Sequence, residues 1–119
     1  FMRAENMKNL FVAGEKSGFY VGHTEAICTG SLAGHNAVRY LSNMEYLQLP
    51  TSLLIGDFIS YSNEEMHKKD GAKKRFTFAG SIYFERMKEL GLYTIDKEKI
   101  KKRVEDVELL DVYNKKLLI

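Results

Sequence analysis

The apolar positions of the chain fall into short blocks separated by glycine, proline and charge. Asn9-Leu10-Phe11-Val12-Ala13 is a compact apolar run that stops at Gly14. Its aromatic and β-branched content and its glycine stop predict a buried strand. Gly14, Gly18 and Gly22 then recur every fourth residue, the mark of a loop with unusual backbone angles or close approach. From Thr24, a possible N-cap, helical spacing runs to about Leu41. Ala26, Gly30, Ala33 or Gly34, and Ala37 form a small-residue stripe along that helix. Each mid-helix glycine costs roughly 1 kcal/mol against alanine, so the stripe calls for a packing reason.

Further along, Pro50-Thr51 precedes an apolar stretch from Ser52 to Tyr61, read as a short helix capped by Thr51. Residues 63–75 are polar and charged, with Asp70-Gly71 as a turn signal. Phe76-Thr77-Phe78 alternates too briefly to assign. Ile82 to Leu90 reads as a helix closed by Gly91. Asp96 is the expected N-cap of a final helix, whose apolar stripe runs through Ile100, Val104 and Val107 to Leu117. Leu90, Ile100, Val104 and Leu117 are expected in the core.

Composition narrows the classes. The chain has 119 residues, 45% hydrophobic, which suits one domain with a real core. A single cysteine excludes an internal disulfide framework. No apolar run approaches the roughly 20 residues of a membrane span, and the amino end shows no signal-peptide pattern, so a cytoplasmic setting is expected. The chain opens Phe1-Met2-Arg3, which fits a piece of something longer. The formal net charge of +2 hides a shift along the chain. Residues 1–63 hold 4 basic and 5 acidic side chains, while residues 64–103 hold 12 basic and 7 acidic. We therefore expect a glycine-rich first part, residues 1–62, and a lysine-rich helical extension, residues 63–119.

Strand, glycine loop and helix form one unit of possible chemistry. A helix start presents unpaired N–H groups and a partial positive charge, and glycines before it let a ligand touch the backbone. The spacing by itself matches neither Gly-x-Gly-x-x-Gly nor the phosphate loop ending in Gly-Lys-Ser/Thr, and a tight strand-to-helix turn explains it as well. His23, His35 and His67 lack metal-ligand spacing, and no metal is expected. Cys28, within the small-residue stripe, reads as a buried filler before a reactive thiol. Glu25 serves equally as a ligand contact or as a first-turn acid that complements the helix dipole. Lys68, Lys69, Lys73, Lys74 and Arg75 could meet RNA phosphates, with Phe76, Phe78, Tyr83 and Phe84 interleaved; a solvated face competes with that reading.

Asn9 to Gly18, then Gly22-His23-Thr24-Glu25-Ala26, then Thr29-Gly30-Ser31-Leu32-Ala33-Gly34-His35-Asn36-Ala37 resembles the second FAD-binding motif of the GidA/TrmFO family. These are flavoproteins that modify tRNA uridines. Pro50-Thr51-Ser52 and Gly56 through Tyr61 are similar to a further stretch of the folate-dependent branch. The resemblance covers residues 8–61. It implies an α/β fold, mostly helical in this chain, in which strand, glycine loop and helix complete a FAD-binding Rossmann-like domain ahead of a small helical region.

The resemblance also implies residue roles. Gly14, Glu15, Gly18, Gly22, His23, Thr24 and Glu25 would contact FAD. Glu15 would approach the ribityl and pyrophosphate part, and the loop from Gly18 to Thr24 would lie along the isoalloxazine. The helix start near Gly22 to Glu25 would face the flavin N1/C2 carbonyl edge. Three positions depart from the family pattern: Glu15 stands for Gln, Gly22-His23 for Gly-Tyr, and Asp57 for Ala. No Gly-x-Gly-x-x-Gly unit for the ADP half of FAD is present, and Cys28 matches no catalytic position, so no catalytic residue is assigned. The chain is thus expected to be the carboxy-terminal part of a FAD-dependent tRNA-modifying oxidoreductase, inactive alone. Its partners would be the rest of that flavoprotein, tRNA, and a second copy in a homo-oligomer. A non-catalytic RNA- or protein-binding helical module is the alternative.

Overall fold

Helices dominate the architecture. A computed structural model describes residues 1–17, 20–68, 75–78 and 80–117. Among these residues four α-helices follow in order: α1 (His23–Leu41), α2 (Leu54–Met66), α3 (Ser81–Glu89) and α4 (Lys97–Asp106). Short 3₁₀ turns occupy Gly14–Ser17 and Val112–Asn114.

Among the described residues no run forms an extended ladder. Phe11 pairs with Arg3 in a single antiparallel bridge, and Tyr20 with Phe76 in a single parallel one. Around the first bridge the Ala4 N–H donates to Leu10 O and the Val12 N–H to Met2 O, which folds residues 2–12 into a small hairpin. The predicted strand is therefore extended at Phe11 and, among the described residues, paired with its own preceding segment alone. A strand needs a partner along its length, and here the partner runs out after one residue pair.

Helix α1 begins one residue before Thr24. Gly22, at φ 108°, is its N-cap, and the Gly22 carbonyl accepts the Ala26 N–H. Thr24 lies inside the first turn and caps nothing. The helix ends at Leu41, where Asn43 takes a left-handed φ of 54°. Its buried face is Glu25, Thr29, Leu32, Ala33 and Asn36. The small-residue stripe is offset from that face. Ala26 is exposed, and a side chain built at Gly30 or Gly34 would meet nothing within 4 Å. The close-packing reason for those two glycines is therefore absent from the described contacts.

Helix α2 starts later and runs further than the sequence predicts. The Leu53 N–H donates to Pro50 O, closing a turn over 50–53 that delays the helix to Leu54 and leaves Thr51 outside it. The polar residues after Asn63 then continue the helix to Met66. Gly56 sits against the turn. A Cβ there would collide with the Pro50 carbonyl oxygen and lie 2.7 Å from Leu49 O. The Asp70-Gly71 turn signal lies outside the described residues.

The core sits where α1, α2 and α3 meet the Tyr20–Phe76 bridge. Phe58 is fully buried, with ring centroids of Phe78, Tyr83 and Tyr20 at 4.4, 4.8 and 5.2 Å. Helix α3 ends as predicted, with Gly91 at φ 69°. Asp96 caps α4 as predicted, its side chain accepting the Glu98 and Lys99 N–H groups.

The final helix is shorter than its apolar stripe. It stops at Asp106, and Glu108 and Asp111 both take left-handed backbone angles. Helix α4 has no buried residue, and Leu90 and Ile100 are exposed while Val104 and Leu117 are half-buried. The expected core stripe is thus peripheral. Arg103 ties α4 in: it donates to the Leu92 and Gly91 carbonyls, both at 2.8 Å, just past α3. Among the described residues no helix is long and apolar enough to cross a membrane.

Candidate functional site

The turn at Gly14 is strapped to α1. Gly14 adopts φ 59°, and its N–H donates to Thr29 Oγ1 at 2.9 Å. Thr29 in turn donates to the Glu25 carbonyl at 2.7 Å. A Cβ at Gly14 would touch the Ala26 Cβ at 3.4 Å. Gly14 is buried and Glu15, beside it, is exposed. The Gly14–Ser17 turn therefore rides directly on the first turns of α1.

Tyr20 anchors the far side of the loop. It is buried, and Ser62 donates to its hydroxyl at 2.9 Å. The Val21 N–H donates to Phe76 O, and the chain then bends at Gly22 into α1. Gly22, His23 and Thr24 are all exposed, and no side chain caps this helix start. The positive φ restricts position 22 to glycine, and the Glu25 carboxylate lies beside it, 2.8 Å from where a Cβ would stand.

Glu25 behaves differently from its neighbours. It is only 3% exposed, and its Oε2 accepts the Phe78 N–H at 3.1 Å. A carboxylate in the third helical position complements the positive end of the helix dipole. Glu25 thus joins the start of α1 to the Phe76–Phe78 segment. Of the residues assigned to one site, Gly14, Glu15, Gly22, His23 and Thr24 come together around the start of α1, and Gly18 lies outside the described residues.

Other candidates resolve into local roles. Burial, with the Glu25 charge, pushes the half-buried Cys28 thiol above its ordinary value, the opposite of a reactive thiolate. His35 accepts from Arg39 Nε at 2.7 Å and packs edge-on against Tyr113. Partial burial and the Arg39 charge lower its pKa. His67 pairs with Glu5 at 3.0 Å on the surface, and its hydrogen bond to the Asn63 carbonyl raises its pKa. Lys68 pairs with Glu65 at 2.7 Å and Arg75 is exposed; Lys69, Lys73 and Lys74 lie outside the described residues.

Two polar constellations escaped the sequence reading. Asn36 is fully buried, donates to the Phe1 and Leu47 carbonyls, and accepts the Leu47 N–H at 2.6 Å. Asp57 is bound by both Arg86 and Tyr83. The available signal for the second was an acid inside the otherwise apolar stretch Leu53–Ile59.

The loop and α1 coincide with what comparison with known proteins recovers. Residues 1–45 match the family model described as glucose inhibited division protein A. The amino-terminal part of the chain is therefore similar to that family model and to the curated relatives that follow. Among curated relatives, the methylenetetrahydrofolate–tRNA-(uracil-5-)-methyltransferase TrmFO of Thermosipho melanesiensis is 36% identical over 61 residues. That alignment covers 51% of this chain and 14% of the relative. The protein of the same name from Prochlorococcus marinus is 38% identical over 74 residues, 60% of this chain and 15% of its own length. The chain thus spans about one seventh of the curated relatives it matches. No solved structure matches.

Proposed function

We propose that this chain supplies the flavin-facing loop and helix of a FAD-dependent enzyme that methylates tRNA uracil with methylenetetrahydrofolate as one-carbon donor. The observation that carries the reading is the overlap of the family match, residues 1–45, with the unit from Gly14 to Leu41. Two further features support it over a self-contained binding module. Ile27 and Leu41 on α1 are each 69% exposed, and the described residues contain no complete sheet.

The residues present fit a flavin edge. The start of α1 has no side-chain cap, bare backbone at Gly22, and exposed His23 and Thr24. When bound, the flavin supplies the electron-carrying ring for the one-carbon chemistry. Gly22 lets a planar ring approach the backbone. The α1 dipole favours negative charge at that edge, and His23 and Thr24 offer polar side chains beside it. Glu15 stands on the neighbouring turn, toward the ribityl part in this reading. Glu25 acts from behind by holding the helix start against Phe78. The chain positions a cofactor and carries no catalytic residue of its own.

In the same reading, the basic residues from Lys68 to Arg75 contact tRNA phosphates. Replacing Lys69, Lys73 and Lys74 with Gln should weaken binding evenly across tRNAs and flatten its salt dependence by about one unit of slope per lysine. The activity itself is tested by incubating the complete gene product with unmodified tRNA and methylenetetrahydrofolate. Mass analysis of the nucleosides should show methyl groups on uracil C5. Unmodified uridine under conditions where the protein is folded and flavin-loaded would overturn the assignment.

A further inference from the structure

A cleft of about 400 Å³ lies between the amino-terminal hairpin, residues 48–51 and α2, away from the start of α1. That volume is within the range of small-ligand pockets. Leu32 and Ile59 give it an apolar floor. We propose that this cleft binds a small organic oxyanion, a carboxylate or phosphate carried on an apolar body. The proposal does not rest on the flavin reading.

Arg3 is the group that defines the ligand. The Met2–Val12 and Ala4–Leu10 hydrogen bonds flank it and fix its backbone. Its guanidinium lies over the Tyr46 ring at 5.4 Å, and Tyr46 packs edge-on against Phe11 at 5.9 Å. Among the described residues no carboxylate pairs with Arg3. A guanidinium pre-set by stacking keeps its fork of donors for a planar or tetrahedral oxyanion. Glu5, the acidic residue in the lining, is engaged by His67.

The wall also carries polar side chains among its apolar ones. Gln48, Thr51, Ser60 and Asn63 line the cleft, and among the described residues none of their side chains is hydrogen-bonded within the chain. Ser60 and Asn63 project from one stretch of α2 a single turn apart, so hydroxyl and amide lie on the same wall. An oxyanion held by Arg3 would thus find neutral donors and apolar side chains within the same cleft.

The test is an amide chemical-shift titration of the 119-residue chain with benzoate, phenyl phosphate and, as neutral control, benzyl alcohol. Saturable shifts around Arg3, Ser60 and Asn63 are expected with at least one anion and not with the alcohol. Preference between the two anions identifies carboxylate or phosphate as the ligand group. Arg3→Gln should weaken that binding by about tenfold or more. Ser60→Phe, which fills the cleft from a helical position, should abolish it while the remaining spectrum stays dispersed. Equal binding of the alcohol, unchanged affinity in Arg3→Gln, absence of saturable shifts, or shifts confined to His23 and Thr24 would each overturn the proposal.

Discussion

Asp57 on α2 and Arg86 on α3 meet through two parallel hydrogen bonds, Nη2 to Oδ1 at 2.9 Å and Nε to Oδ2 at 3.0 Å. The Tyr83 hydroxyl donates to the same Oδ2 at 2.8 Å, and the guanidinium lies 4.4 Å from the Tyr61 ring centroid. Asp57 is buried, while Arg86 keeps a third of its side chain in solvent. The pair joins residues on either side of the charge shift in the sequence. Arg86 and Tyr83 thus supply the partners that a buried acid needs.

Removing that acid should loosen the α2–α3 junction. Asp57→Ala strands the inner guanidinium donors and leaves the Tyr83 hydroxyl only the longer bond to the Leu54 carbonyl at 3.3 Å, at a cost of about 2–4 kcal/mol. Arg86→Ala leaves a buried carboxylate unpaired and should be at least as damaging. Urea unfolding read by tyrosine fluorescence measures both. A midpoint unchanged in Asp57→Ala would show that the pair contributes nothing net.

Tyr83 gives the stability a pH dependence on the alkaline side. Burial first, then the hydrogen bond to Asp57, raise its pKa far above the ordinary 10.0. A group whose folded pKa is raised contributes stability that is complete below its unfolded value and lost as pH rises above it. Stability should therefore fall above about pH 10, and Tyr83→Phe should flatten the fall. Melting curves of both proteins from neutral to alkaline pH decide this. A parallel decline in the variant would assign the effect to Tyr20, Tyr61 or Tyr113, whose pKa values burial also raises.

The glycines of the helices should separate by their surroundings. Gly56→Ala drives a methyl group into the Pro50 carbonyl and should cost about 3 kcal/mol. Gly30→Ala and Gly34→Ala meet open space inside a helix and should each stabilise by about 0.5–1 kcal/mol. Thermal melts of the three variants give the signs directly.

Asn36 pins the chain that follows α1. Asn36→Ala removes the acceptor of the Leu47 N–H and a donor shared by the Phe1 and Leu47 carbonyls. The expected loss is about 3 kcal/mol, with faster amide exchange at Leu47. Asn36→Asp keeps the acceptor but sets a buried carboxylate against the Phe1 and Leu47 carbonyl oxygens, and should cost at least as much as alanine at neutral pH.

Much of the helical framework was legible in the sequence, because its signals are local. Asp96 and Gly91 act where their residue types predict. Thr24 and Thr51 failed as caps for reasons a sequence does not display. Gly22 opens α1 with a positive φ, and the Pro50–Leu53 turn postpones α2. The apolar stripe toward Leu117 overran α4 because residues 108 and 111 turn left-handed, which neither Glu nor Asp announces. In the candidate site, the family resemblance and not the spacing singled out Gly14, Glu15, Gly22, His23 and Thr24, which lie around the start of α1. The inward turn of Glu25 depends on Phe78, 53 residues away, and only the folded chain shows it.

The midpoint potential of the flavin in the complete gene product, wild type against His23→Asp, tests the central claim most directly. An aspartate in the first turn of α1 suits the helix dipole, so the fold should hold. The same carboxylate beside the flavin edge would oppose the anionic reduced form. The account predicts a potential about 20–30 mV more negative in the variant, equivalent to roughly 1 kcal/mol. A wild-type protein that purifies without flavin, or a potential identical in the two proteins, would contradict it.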